Sequence, residues 1–178
     1  MLFEDYQKIL LKLKDELKVA NFWAVPRVSK VVVNMRVADG KDDASAITDA
    51  KEELRLIVGQ QPRVCPARRS ISGFKLRQGS PIGLKATLRG KRMMDFLERL
   101  FNLVLPRLRD FRGLPLKGFD QAGNFNIGFR DQSVFPEVDL DKIKKTLGLQ
   151  VTIVTSTKSQ PEAVALLKSL GLPFAKQE

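Results

Sequence analysis

The chain has 178 residues, 43% of them hydrophobic and 29% charged, which is ample for a soluble globular domain with its own core. With 31 Lys and Arg against 20 Asp and Glu, it carries a net charge of +11, a field that attracts polyanions and favours nucleic acid or an anionic membrane surface. One cysteine and no histidine exclude an internal disulfide and a cysteine zinc cluster, and remove the commonest general base and nitrogen metal ligand.

Apolar residues at Leu2, Tyr6, Ile9, Leu10, Leu13 and Leu17 predict an amphipathic helix over 2–20 with a Lys-rich outer face. After Pro26, residues 28–37 alternate as a strand. Val31, Val33, Met35 and Val37 point one way; Lys30, Val32, Asn34 and Arg36 point the other. A polar turn then leads into a second helix over 45–58 with Ile47, Ala50, Leu54 and Ile57 on its apolar face and Gly59 as its cap. Residues 63–69 form at best an edge strand, because Pro66 interrupts it. Residues 70–81 hold Gly73, Gly79 and Pro81 without apolar periodicity, and predict a long mobile loop. Ile82, Leu84, Ala86 and Leu88 then alternate with Lys85, Thr87 and Arg89 in a strand, followed by a helix over 91–105 that Pro106 breaks.

The last third opens on an arginine-rich turn (Arg107, Arg109, Arg112). It continues with a strand through Phe125, Ile127 and Phe129 and another over 149–155. It closes with a helix over 159–170, where Ser159-Gln160-Pro161-Glu162 reads as a capping box and Gly171 as the stop. Strands and helices mix without βαβ alternation. The expected class is α+β, a largely antiparallel sheet with helices packed on one face and a long basic loop, in one domain spanning 1–178.

The charge is not spread evenly. The 41 residues from Leu54 to Met94 hold ten Lys and Arg and no Asp or Glu, while the rest of the chain is nearly balanced. Solvated faces normally mix signs, so this exclusion points to a surface held against something anionic. If the two strands at 28–37 and 82–89 share a sheet, their outer faces display Lys30, Asn34, Arg36, Lys85, Thr87 and Arg89 together, an array suited to phosphates and ribose hydroxyls. In the loop, Phe74 beside Lys75 and Arg77 either stacks on a base or folds back on the core. Phe22 and Trp23 read as packing between helix and strand rather than as stacking surfaces.

No catalytic, metal or cofactor site emerges. Cys65 lacks a histidine to activate it and reads as a small apolar filler. Asp39, Asp42 and Asp43 precede a helix, the usual dipole-complementing arrangement. Glu137, Asp139 and Asp141 read as a solvated edge rather than a magnesium cage, and no phosphate-cradling glycine motif is present.

Several segments are more specific than any of these patterns: Val25-Pro26-Arg27 with Asn34-Met35, Ile57-Val58-Gly59-Gln60 with Pro62, and Ser70-Ile71-Ser72-Gly73-Phe74-Lys75-Leu76-Arg77. They continue through Pro81-Ile82-Gly83, Thr87-Leu88-Arg89-Gly90, the run from Pro106 to Leu114, Phe135-Pro136-Glu137, Gly148-Leu149, and Leu170-Gly171-Leu172-Pro173-Phe174. In order and spacing, over essentially the whole chain, these resemble the L-five family of bacterial large-subunit ribosomal proteins. The resemblance implies a cytoplasmic, ribosome-bound, non-enzymatic protein of the central protuberance that binds 5S rRNA and joins it to 23S rRNA. It implies 5S contacts at the residues matching Asn34, Gln60 and Thr87. It also implies that the loop, with Ser72, Gly73, Phe74, Lys75, Leu76, Arg77, Gln78 and Gly79, reaches P-site tRNA, and that the small-subunit protein S-thirteen is a partner. A free-standing RNA chaperone or regulator using the same basic face is the other reading of the charge.

Two departures stand out. The family pattern has Gly after Asn-Met, where this chain has Arg36, which either adds a phosphate contact or alters the turn. Where the pattern reads Phe-Asp-Gly-Arg-Gly-Asn, this chain has Phe119-Asp120-Gln121-Ala122-Gly123-Asn124, so a contact made by that arginine has no counterpart here.

Overall fold

The computed structural model describes residues 2–41, 43–108, 111–139 and 143–175. Asp42, Arg109 and Asp141, singled out above, lie outside them. The elements follow in the order α1 (Leu2–Glu16), β1 (Val28–Arg36), α2 (Ala44–Val58), β2 (Arg63–Pro66), β3 (Pro81–Leu88), α3 (Gly90–Arg99), β4 (Phe125–Phe129), β5 (Leu149–Thr155) and α4 (Gln160–Ser169). The strands form one five-stranded sheet in the order β2-β3-β1-β5-β4, which places the expected edge strand at an edge and bears out the α+β class. The chain divides into two compact units, one of residues 1–31, 88–127 and 152–178, the other of 32–87 and 128–151.

In the first unit, α1 buries Leu10 and Leu13 as its spacing requires. It ends at Glu16, earlier than expected, because Lys18 turns left-handed at φ 51°. The Lys18 N–H then bonds to Asp15 and the Val19 N–H to Lys14, which satisfies the last carbonyls. The half-buried Tyr6 accepts the Val28 N–H at 3.1 Å, tying α1 to the start of β1. Helix α3 keeps Met93, Phe96 and Leu97 buried, but does not run straight to Pro106. The proline has no N–H for the carbonyl four residues back, and its ring crowds that carbonyl. The chain instead widens into a π turn over Leu100–Val104, then tightens into a 3-10 turn over Leu105–Arg107 that contains the proline.

The capping box at α4 is not formed. Ser159 occupies the N-cap position without a side-chain cap bond. The Thr157 hydroxyl intercepts both groups, donating to Glu162 Oε2 at 2.6 Å and accepting the Ser159 N–H at 3.0 Å. Trp23 does not pack between helix and strand either: it is 77% exposed, while Phe22 beside it is half-buried.

In the second unit, α2 follows its sequence signals closely. Asp43 caps it by accepting the Ser45 N–H at 2.8 Å, and the Ser45 donors hold this carboxyl below its ordinary range. Gly59 ends it in the left-handed conformation at φ 65°. Ile47, Ala50, Leu54 and Ile57 are all buried. Gly40 permits the close approach of the preceding turn, since a Cβ there would sit 2.4 Å from Ile47 Cδ1. On β1 the core face is as expected, but Val32 is also buried on the opposite face. Cys65 is half-exposed on the edge strand rather than filling a core gap.

A fully buried glutamine, Gln132, ties three segments of this unit together. Its Nε2 donates to the Lys145 carbonyl at 2.7 Å and to Glu53 Oε2 of α2 at 3.2 Å, and its Oε1 accepts the Leu147 N–H. Such a site is demanding, because removing one partner leaves the others unsatisfied in a poor solvent for them. Gln132→Ala is expected to lower the unfolding free energy by about 2 kcal/mol in urea denaturation, and Gln132→Leu, which restores volume but no hydrogen bonds, should fare little better.

Burial raises the carboxyl pKa of Glu53 above its ordinary value, with the Gln132 hydrogen bond opposing and the Asp49 charge adding to the rise. A folded-state pKa above the unfolded one means the native state binds more protons, so stability falls as pH rises through this range. Glu53→Gln removes that loss. At pH 7 the variant should be as stable as the parent or more so, by less than ~1 kcal/mol because much of the group is solvent-screened. Urea midpoints measured below about pH 4 should lose that difference.

Candidate nucleic-acid interface

Strand β3 puts Leu84, Ala86 and Leu88 in the core, so the pleat alone directs Lys85 and Thr87 to the opposite face. Lys85 is exposed and Thr87 half-buried. Strand β1 runs beside it, with the Val37 N–H donating to the Ile82 carbonyl at 3.0 Å, and carries Asn34 half-buried and Arg36 exposed. Arg36 is the last residue of β1 with no positive φ, so its side chain adds a cation without altering the strand. On the other side β2 pairs antiparallel with β3, and Arg63 stands directly opposite Lys85. Two like charges across a strand pair work against the sheet.

Gln60 joins this group through the turn that Gly59 makes at the end of α2. Its Nε2 donates to the Thr87 carbonyl at 3.2 Å, so the residue just past a helix cap is held against β3. The bond uses only one of Gln60's polar atoms. The Asn34 amide and the Thr87 hydroxyl form no side-chain hydrogen bond among the described residues, although both are half-buried. Neither side chain has a polar atom that is both buried and unsatisfied, so both reach solvent and are open to a ligand. Lys30, half-buried, and Arg89, exposed at the N-cap of α3, belong to the first unit.

The charged residues show the same pattern. Of the ten cations between Leu54 and Met94, Arg55 pairs with Glu52 at 2.8 Å. The other nine are exposed and form no ion pair among the described residues. Outside this stretch Lys144 pairs with Asp49 at 2.7 Å and Lys145 with Asp39, while others, such as Lys51, Arg107 and Lys168, likewise form no ion pair among the described residues.

The loop carries its own backbone order. Ile71 and Leu76 exchange hydrogen bonds at 2.9 and 3.1 Å around a 3-10 turn at Ser72–Phe74, and Lys75 adopts φ 49°. The Ser70 hydroxyl accepts the Gln78 N–H at 2.9 Å, and Ala67 bonds to Ser80 and Gly79, closing the base. Phe74 is 72% exposed, which removes the reading in which it folds back on the core. With Leu76, Ile82, Ala38 and Arg36 it lines an open groove. Lys75, Arg77 and Gln78 are exposed, and Gly73 and Gly79 have open space where a side chain would be.

Sequence reasoning missed Arg63 as a member of the face, because the register between β2 and β3 decides it and no local signal reports that register. Gln60 had no physical signal of its own; the resemblance alone singled it out. The acids fall where structural roles explain them: Asp43 caps α2, and no cluster able to hold a metal ion occurs among the described residues. No helix among them is long and apolar enough to cross a membrane.

Comparison with known proteins agrees with this picture. Residues 21–77 match the family described as ribosomal protein L5, and residues 81–174 match the model for the C-terminus of that ribosomal family. The large ribosomal subunit protein uL5 of Syntrophomonas wolfei is 49% identical over 174 residues, covering 97% of this chain and 98% of that protein. Its namesake in Chloroflexus aurantiacus is 50% identical over 172 residues, 96% of each chain, and that of Fusobacterium nucleatum is 48% identical over 96% and 94%. Matched along nearly its whole length, the chain belongs to the ribosomal protein L5 family: a non-enzymatic constituent of the large ribosomal subunit, at work in the cytoplasm.

Proposed function

We propose that within the large subunit the protein binds 5S rRNA through Asn34, Gln60 and Thr87, flanked by Arg36, Lys85 and Arg63, with Lys30 and Arg89 as further phosphate contacts. The observation that carries this is the juxtaposition of half-buried polar groups on Asn34 and Thr87 with exposed cations, neither of which has a side-chain partner among the described residues. Phosphates answer the cations, and base edges or ribose hydroxyls answer the amide and hydroxyl. In this reading the bound 5S rRNA is joined through the protein to 23S rRNA. The loop at 70–81 meets P-site tRNA, for which exposed Phe74 between Gly73 and Lys75 supplies a stacking surface. Contact with the small-subunit protein S-thirteen rests on the family resemblance alone.

Binding to 5S rRNA should survive an excess of tRNA or another polyanion. Equal displacement by any competitor would favour the free-standing RNA chaperone or regulator instead. With about five phosphate contacts, log affinity should fall with log salt at a slope near −4, and a flat response would remove the electrostatic argument. Asn34→Ala or Thr87→Ala should weaken 5S binding by roughly 1–3 kcal/mol, the usual consequence of stranding a buried partner. Normal binding by Thr87→Ala would show that the sheet face is not the 5S site. Removing the tip of the loop should leave 5S binding intact while impairing tRNA handling by assembled ribosomes.

A further inference from the structure

The first unit carries an aromatic feature that the 5S face does not use. Between α1 and β1, the 3-10 turn Phe22–Ala24 is pinned by Asn21, whose side-chain oxygen accepts the Trp23 N–H at 2.9 Å. Trp23 stands 77% exposed from this turn. Its ring is nevertheless held in place. The Arg27 guanidinium carbon lies 4.8 Å from its centroid and 5.0 Å from that of Phe22, and the two rings meet edge-on at 6.0 Å. Arg27 is fixed in turn: its Nη2 donates to the Phe22 carbonyl at 3.2 Å, and its N–H to Ser156 Oγ at 2.9 Å.

Nothing inside the chain explains this arrangement. A ring left mostly in water contributes little to the core, and indole is the largest apolar side chain available. Arg27 forms no ion pair among the described residues, and its buried Nε has no hydrogen-bond partner. The Ser156 hydroxyl accepts from Arg27 and, among the described residues, passes its own proton to no acceptor. The feature is therefore a rigid exposed π-face backed by an uncompensated positive charge, with a spare hydroxyl beside it.

We propose that Trp23, braced by Arg27, is a second RNA contact of this protein, a platform on which an unpaired base of ribosomal RNA stacks. The inference rests on the reading of the chain as an rRNA binder. Every base has a π-face, so an exposed indole accepts it without sequence preference, and the guanidinium attracts the phosphates on either side. An apolar protein patch fits less well, since covering the ring would also desolvate the Arg27 charge with no counter-ion to replace water. The contact is distinct in kind from the Asn34, Gln60 and Thr87 group, which offers hydrogen bonds rather than a ring.

Trp23 is the sole tryptophan of the chain, so its emission reports on this site alone. The full-length protein would be titrated with 5S rRNA and, separately, with 23S rRNA, following indole emission and filter retention together. The expected result is quenching with the same midpoint as retention for at least one of the two RNAs. Trp23→Ala should weaken binding of that RNA by about 5- to 150-fold, the range for loss of one stacked base, and Trp23→Phe should recover most of it. RNA retained with unchanged emission, and equally well by Trp23→Ala, would overturn the platform while leaving the 5S reading standing. Failure of the parent protein to retain either RNA would overturn the reading beneath it. Emission that responds only when small subunits are added would assign the ring to a protein partner and sink the proposal. Should Trp23→Ala fail to fold by circular dichroism, the emission of the parent protein still decides, and Trp23→Ser, which keeps a small side chain but no ring, replaces it in the binding assay.

Discussion

Arg63 and Lys85 occupy directly opposite positions across β2 and β3, so the sheet has to carry two like-charged side chains as neighbours. A pair of this kind works against folding on a scale of about 0.2–1 kcal/mol, softened by water and salt. The strand tolerates it because its reverse side is committed elsewhere: Leu84, Ala86 and Leu88 are each at most 2% exposed. Apolar burial on one face is worth about 1.5–3 kcal/mol for each large aliphatic side chain, so it outweighs the repulsion on the other. The hydrophobic face thus decides that the strand forms, and the polar face is released from any stabilising role. Everything proposed for the outer surface depends on that division.

The same division appears wherever the acid-free stretch is exposed. Lys144, Lys145 and Arg55 each have a carboxylate partner on the chain's own surface. The nine other cations of the acid-free stretch form no ion pair, and the half-buried Asn34 and Thr87 side chains form no hydrogen bond, among the described residues. Gln60 shows how economically the site is assembled. One bond from its amide to the Thr87 carbonyl brings a helix end to a strand and leaves its side-chain oxygen without a partner among the described residues. A surface that breaks ordinary rules of charge mixing and polar satisfaction at the same residues is the mark of a binding face rather than of poor folding.

Much of the fold was legible because its signals are local. The alternation of β1 and β3, the apolar stripe of α2, and Gly59 as its stop each depend on residues within one element. What could not be read depends on partners distant in sequence or on competition between neighbours. Thr157 captured the Glu162 carboxylate that the motif at α4 assigned to Ser159. Pro106 entered a 3-10 turn behind a π turn instead of ending a helix. Gln132 looks like any polar loop residue until Glu53, Lys145 and Leu147 close around it. At the site, Lys85, Thr87 and Asn34 followed from period alone, whereas Arg63 needed the register. Trp23 needed the geometry of its turn, because an aromatic pair between a helix and a strand looks the same in sequence whether it packs inward or outward.

The departure at 121–122 from the family pattern shows how far such surface chemistry can change without touching the fold. Modest desolvation acts to raise the Asp120 pKa, but the Asn124 side chain and the N–H groups of Asn124 and Ala122 prevail and hold it below the ordinary range. Those bonds, at 2.8, 2.7 and 2.9 Å, define the turn. Gly123 is required as well: at φ 76° a Cβ would lie 2.4 Å from the Thr157 carbonyl oxygen. Phe119, Asp120, Gly123 and Asn124 are the residues this chain shares with the pattern. Gln121 and Ala122, where it differs, are exposed, and neither side chain enters the bonds that shape the turn. The bonds that shape the turn therefore do not depend on these two side chains, which set what the turn can offer a ligand. Arg36 is the converse case, a cation added at the end of β1 where the strand geometry accepts any residue. The fold fixes where side chains can be presented, and substitutions at such positions then decide which phosphates and bases find a partner.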